Sequence, residues 1–126
     1  MNGLDTNVLI RYLVADDEVQ AAKAKRYMES GPSYVNCIVL SEAVWVLESA
    51  YGYDKEAIVS MLERLLSTHE VAVEDADLAL GALHDYRRSK AGFTDCLIGH
   101  RNAAHGCGET GSFDKRTKGI AGFKLL

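Results

Sequence analysis

Short apolar stretches alternate along this chain with longer segments of helical period. Met1–Leu4 is a very short strand candidate, and Val8, Leu9, Tyr12 and Leu13 then recur at the spacing of one helix face. Asp16-Asp17 caps a second helix that runs through Met28, and Ser30-Gly31-Pro32 terminates it. Tyr34-Val35-Asn36 reads as a brief buried strand, followed by a helix from Ile38 to Tyr51 that Gly52 stops. Asp54 caps an amphipathic helix with Ile58, Met61, Leu62, Leu65 and Leu66 on one side. Val71-Ala72-Val73 is a strand, and Asp75–Lys90 is a helix bearing Leu78, Leu80, Ala82, Leu83 and Tyr86. Ala91-Gly92 breaks it, and a new helix starts at Phe93 or Thr94 and passes through Leu97, Ile98, Arg101 and Ala104. Gly106–Ser112 has poor strand composition, and Phe123–Leu126 suits an edge strand.

Short strands alternating with helices imply an α/β architecture with a mainly parallel sheet. Ligands in such sheets bind beyond the carboxyl ends of the strands. The chain has 126 residues, no repeat and no linker, so the expectation is one domain over 1–126. Its 48% apolar and 25% charged residues are ordinary for a globular protein. Cys37, Cys96 and Cys107 form no C-x-x-C pair and are odd in number, which suits a reduced, cytoplasmic protein. A signal-peptide pattern and a membrane-length apolar run are both lacking, and no membrane is expected as a partner.

Four acids stand where a fold can use them. Asp5 follows the first strand, Glu42 lies in the apolar run Cys37–Leu47, Asp95 opens the Phe93 helix, and Asp114 follows the weak strand. A globular chain rarely buries acids without a partner, and for several carboxylates together the economical partner is a divalent cation. The net charge of −4 speaks against nucleic acid at first sight, but these four acids account for all of it.

Each acid also has a plainer reading. Asp5 suits a helix N-cap, with Thr6 and Asn7 as donors able to orient it. Glu42 in a helix apolar on most sides is expected to be buried, hence neutralised, paired or metal-bound. Asp95 complements a helix dipole, and Asp114 suits a turn before Lys115-Arg116. Clustered carboxylates with a partly buried Glu42 would raise at least one pKa. Tyr12, Tyr27, Trp45 and Tyr51 read as core or dimer contacts, and Arg87-Arg88-Ser89-Lys90 as a helix C-terminal charge match in preference to an RNA contact. The histidines form no triad with serine or cysteine, and no phosphate-binding glycine loop is present.

Read together, Leu4-Asp5-Thr6-Asn7-Val8-Leu9, Ser41-Glu42, Gly92-Phe93-Thr94-Asp95-Cys96-Leu97-Ile98 and Ser112-Phe113-Asp114-Lys115 resemble the PIN-domain family, and within it the bacterial VapC-like toxin ribonucleases. The resemblance runs from Met1 to Leu126. It implies an α/β/α sandwich around a short parallel sheet, a pocket binding Mg²⁺ or Mn²⁺, and hydrolysis of RNA phosphodiester bonds. It carries the catalytic and metal-binding roles to Asp5, Glu42, Asp95 and Asp114, and supporting polar roles to Thr6, Asn7 and Ser112. It also implies a homodimer and an antitoxin that occludes the pocket. Gly111 stands where similar proteins usually have an aliphatic residue, which weakens the strand that should position Asp114.

Two other readings compete. A phosphatase using Asp5 as nucleophile lacks the second aspartate two residues on, since Asn7 stands there. A degenerate PIN-like scaffold, acting only as a protein-interaction module, has no need of all four acids.

Overall fold

The computed structural model describes all residues from Met1 to Leu126, which fold as two units, Met1–Glu74 and Asp75–Leu126. The first unit runs β1 (Asn2–Gly3), α1 (Thr6–Val14), α2 (Glu18–Glu29), β2 (Ser33–Val35), α3 (Cys37–Ser49), α4 (Lys55–Ser67) and β3 (Val71–Val73). Its strands form a parallel sheet in the order β1-β2-β3, with Asn2 opposite Ser33 and Val35 opposite Val73. The second unit runs α5 (Ala76–Arg88), α6 (Phe93–Ala104), β4 (Thr110–Ser112) and β5 (Phe123–Leu125), with a single 3-10 turn at Lys115–Thr117. There β4 and β5 pair in parallel, Thr110 opposite Phe123. Every strand pair is parallel, and α-helices occupy the connections of the three-stranded sheet, the α/β arrangement that the alternating pattern predicts.

Short polar side chains start the helices of the first unit. Asp5, Asp17, Asn36 and Asp54 each accept a hydrogen bond from the backbone N–H three residues on, satisfying a donor the first turn leaves open. Asn36 is therefore the cap of α3 and not the last residue of a strand; β2 ends at Val35. At the other end of α3, Gly52 takes φ +67° and lets Tyr53 N–H return to the Leu47 carbonyl. Leu9, Val35, Leu40, Leu47, Ile58 and Leu65 are fully buried, and α1 packs on α2 and α3.

In the second unit α5 lies closely along α6, and glycine makes the approach possible. A Cβ at Gly81 would come within 2.6 Å of the His100 ring, and one at Gly99 within 2.5 Å of the Phe123 ring. Buried Tyr86 and Phe93 meet edge to face at 6.0 Å, a favoured aromatic geometry. Gly111 does not prevent β4 from forming. A Cβ there would meet Leu126 at 3.4 Å, an ordinary contact, so the strand has room for the side chain it lacks.

Of the aromatic residues read as core or dimer contacts, Tyr12, Tyr27 and Trp45 are exposed and lie outside the core. Tyr51 is half-buried, and its hydroxyl donates to Asp16 and accepts from Arg11.

These contacts give two alanine substitutions opposite signs. Gly81→Ala gains helix propensity but must push His100 off Asp85, and overpacking of this kind costs about 1–3 kcal/mol. Denaturant unfolding should show it net destabilised, by about 1 kcal/mol. Gly111→Ala should leave stability unchanged or raise it by about 0.5 kcal/mol.

Candidate active site

Asp5 stands immediately beyond the carboxyl end of β1, where Leu4 N–H pairs with the Tyr34 carbonyl. Its side chain is exposed and accepts from Val8 N–H at 3.1 Å, so the carboxylate is aimed by the start of α1. Thr6 and Asn7 are not its donors; Asn7 lines a concavity between α1 and α2 with Val8, Arg11 and Gln20. Glu42 lies in the middle of α3. It is exposed, contrary to the burial expected from its apolar neighbours, and no hydrogen bond or ion pair holds it. The reason is visible along the helix: Val39, Leu40, Ala43, Val44 and Leu47 turn inward, while Ile38 (65% exposed), Glu42 and Trp45 (68%) share the outer face. The desolvation argument for Glu42 therefore lapses.

In the second unit, Asp95 and Asp114 are brought together. Asp95 sits in the first turn of α6, where the helix dipole favours an acid, and its carboxylate lies over Gly92, within 3.4 Å of where a Cβ would stand. Asp114 follows β4 and is held from both sides. The Ser112 hydroxyl accepts from Asp114 N–H at 3.0 Å, and the hydroxyl of buried Thr117 donates to the Asp114 carbonyl at 2.7 Å. The backbone expected to be weakened by Gly111 is thus pinned by its neighbours.

Arg116 joins the two acids. Its Nε and Nη2 donate to the Asp114 carboxylate at 3.0 and 2.7 Å, a bidentate pair, and its backbone N–H adds a third bond at 2.9 Å. Nη2 also lies 3.8 Å from Asp95. The Asp95 and Asp114 side chains are 36% and 30% exposed, and that of Arg116 58%. The hydrogen bonds from Arg116 hold the Asp114 carboxyl below the usual carboxylate range. Clustering of acids leads one to expect a raised pKa; Asp114 moves the other way because the nearest charge is a cation.

Within neither unit do three or more His, Cys, Asp or Glu side chains gather closely enough to hold a metal. The donors present are nevertheless of the right kind, since carboxylate oxygens suit hard divalent cations. The Asp95–Asp114 pair already gathers one positive charge, that of Arg116.

Sequence reasoning passes over four residues here. Arg116 reads as part of a turn, although a cation two residues after an acid signals a bidentate pair. Glu74 follows β3 as Asp5 follows β1, and it accepts from Cys37 N–H at 3.0 Å, serving the start of α3 beside Asn36. His100 and Asp85 bond at 2.7 Å between α6 and α5, a pairing fifteen residues apart that no local spacing reveals.

The Asp114 shift sets an acid-side behaviour. A depressed folded-state pKa contributes stability that is present above the unfolded pKa and is lost as pH falls through the lower folded value. Arg116→Gln should raise the Asp114 pKa, read from its carboxyl carbon shift by NMR, and flatten the acid limb of the stability–pH curve. An unmoved Asp114 titration in Arg116→Gln would mean the guanidinium does not hold that carboxylate in solution.

Residues 4–122 match the family model described as PIN domain, a span that includes all four candidate acids. The chain is also 29% identical over 130 residues to a protein named VapC ribonuclease from Aquifex aeolicus (strain VF5), covering 100% of this chain and 96% of that relative. No solved structure gives a significant match. The α/β arrangement, the acids at the carboxyl ends of β1 and β4, and the match over nearly the whole length agree: the chain belongs to the PIN-domain family.

Proposed function

We propose that the chain, acting as one nuclease domain over 1–126, is a divalent-cation-dependent endoribonuclease and the toxin of a toxin–antitoxin pair. The observation that carries this reading is the pair of carboxylates, Asp95 and Asp114, held around a single positive charge. Membership of the PIN family and the likeness to a VapC ribonuclease over the full chain support it. Asp5, Glu42, Asp95 and Asp114 are proposed as the acidic groups, with Mg²⁺ or Mn²⁺ as the cofactor. Thr6, Asn7 and Ser112 are proposed as its polar supports.

The chain's own residues prepare this chemistry before any ligand arrives. Ser112 and Thr117 fix the backbone that carries Asp114, and Asp95 is placed in the first turn of α6, where the open N–H groups face an acid. The bidentate pair with Arg116 keeps Asp114 deprotonated, and only an ionised carboxylate is a good oxygen ligand. The same arginine offsets one of the two negative charges of the pair, a role that a bound cation would share or take over. Bound by these acids, a hard cation would offset the charge that develops on the phosphate oxygens and assist attack by water.

An acidic centre of this kind is a natural target for an arginine presented by a partner, and the proposed antitoxin would use one. A homodimer is part of the proposal. The absence of any helix long and apolar enough to cross a membrane is compatible with a cytoplasmic setting.

Purified protein should cleave RNA with Mg²⁺ or Mn²⁺, and EDTA should abolish the cleavage. Asp5→Asn and Asp95→Asn should each lower the rate by about 100-fold or more, as removal of preorganised charge-stabilising groups does. Undiminished cleavage in EDTA, or in both variants, would contradict the assignment. Binding of Mn²⁺ lost in Asp95→Asn but an RNA left intact by the wild type would point instead to a non-catalytic scaffold.

A further inference from the structure

The sequence holds two basic runs, Arg87-Arg88-Ser89-Lys90 and Lys115-Arg116 with Lys118. The second unit brings them to one place. Arg88, Ser89, Lys90, Lys115, Arg116 and Lys118 line a groove of about 320 Å³. None of the groove's lining residues is Asp or Glu. Pairing inside the protein does not explain the assembly. Arg87 and Arg88 complete the last turn of α5, where cations match the helix dipole, and Arg88 also bonds His84 at 3.1 Å. Lys90 lies beyond the end of that helix, and Lys90, Lys115 and Lys118 are exposed and take part in no ion pair.

Arg116 is answered by Asp114 and Asp95, but Lys90, Lys115 and Lys118 have no counter-charge, and an anion relieves their repulsion. The unit as a whole has the same bias: eight Lys and Arg against six Asp and Glu, whereas the first unit has six against twelve. The lining also says which anion. Ammonium groups on flexible stems contact phosphates as point charges without geometric selectivity. No aromatic ring lines the groove, so bases have nothing to stack on, and no exposed apolar anchor is present for a protein partner. Arg116 belongs to both this groove and the Asp95–Asp114 pair, which makes the two adjacent.

We infer that this groove is a phosphodiester-binding subsite for the RNA strand beside the bond to be cleaved, gripping backbone phosphates without reading bases. The inference rests on the ribonuclease reading above, but it is tested without cleavage. A short fluorescein-labelled single-stranded RNA is titrated by anisotropy in EDTA, over a range of KCl concentrations. Each single-strand phosphate contact contributes about 0.7 to the slope of log K against log salt. The Lys90→Gln, Lys115→Gln, Lys118→Gln triple variant should therefore bind with a slope shallower by about 2, and at least about tenfold more weakly at low salt. The matching Lys→Arg triple variant should keep the wild-type slope. A control that removes the same charge from α2, Lys23→Gln, Lys25→Gln and Arg26→Gln, should keep it too.

An unchanged slope in the Gln triple variant overturns the inference, as does an equal loss in the α2 control or a wild type that does not bind RNA. An unchanged RNA slope with weaker binding of poly-glutamate would assign the groove to an acidic protein partner, and also overturns it. A chain that binds RNA through these lysines yet never cleaves it with metal would refute the ribonuclease reading and leave the subsite standing.

Discussion

The guanidinium of Arg116, shared between Asp95 and Asp114, is the interaction on which the chemistry of the second unit turns. Two carboxylates placed close together repel, and the repulsion is largest where water is partly excluded. The chain resolves this by supplying its own cation two residues after Asp114, close enough for a bidentate pair and within reach of Asp95. An exposed pair of this type adds little to stability. Its value is in charge state and position: Asp114 remains ionised, and both acids stay aimed at one point that attracts positive charge.

The folding of the backbone serves the same end. Parallel strands release their chains at one edge, and the residue after a strand becomes the natural place for a side chain that also starts a helix. Asp5 does this after β1, Asn36 after β2, and Asp114 after β4 at the head of a 3-10 turn. Capping and chemistry use the same property, a short oxygen-bearing side chain at a helix start, so the plain and the functional readings of these acids do not compete. A lysine or leucine at any of these positions would lose both.

The sequence makes much of this legible because helix starts are local. The caps Asp5, Asp17 and Asp54, the strand Val71–Val73 and the breaks at Gly52 and Ala91-Gly92 all follow from patterns within a few residues. What it hides is set by tertiary geometry. Glu42 reads as buried because its neighbours are apolar, yet the outer face of α3 carries Ile38 and Trp45 as well, and no local pattern distinguishes an apolar core face from an apolar surface. Tyr12 and Tyr27 stay outside the core for the same reason. Gly111 signals a weak strand, but the stabilisation of that region comes from Ser112 and Thr117, whose hydroxyl bonds depend on the turn that follows. The charges of Arg88-Ser89-Lys90 and Lys115–Lys118 have meaning only once they line one groove, across some thirty residues of chain.

Asp95 and Asp114, held around the charge of Arg116, are the acidic pair of the second unit on which the proposed cation binding depends most directly. Paramagnetic broadening tests it directly. On titrating Mn²⁺ into ¹⁵N-labelled protein, the amides of Thr94–Cys96 and Phe113–Lys115 should broaden first, and Arg116 Nε–H should shift as its carboxylate partner is taken. Broadening centred elsewhere, on Glu74 or His100 for example, or no site-specific broadening at all, would contradict the account.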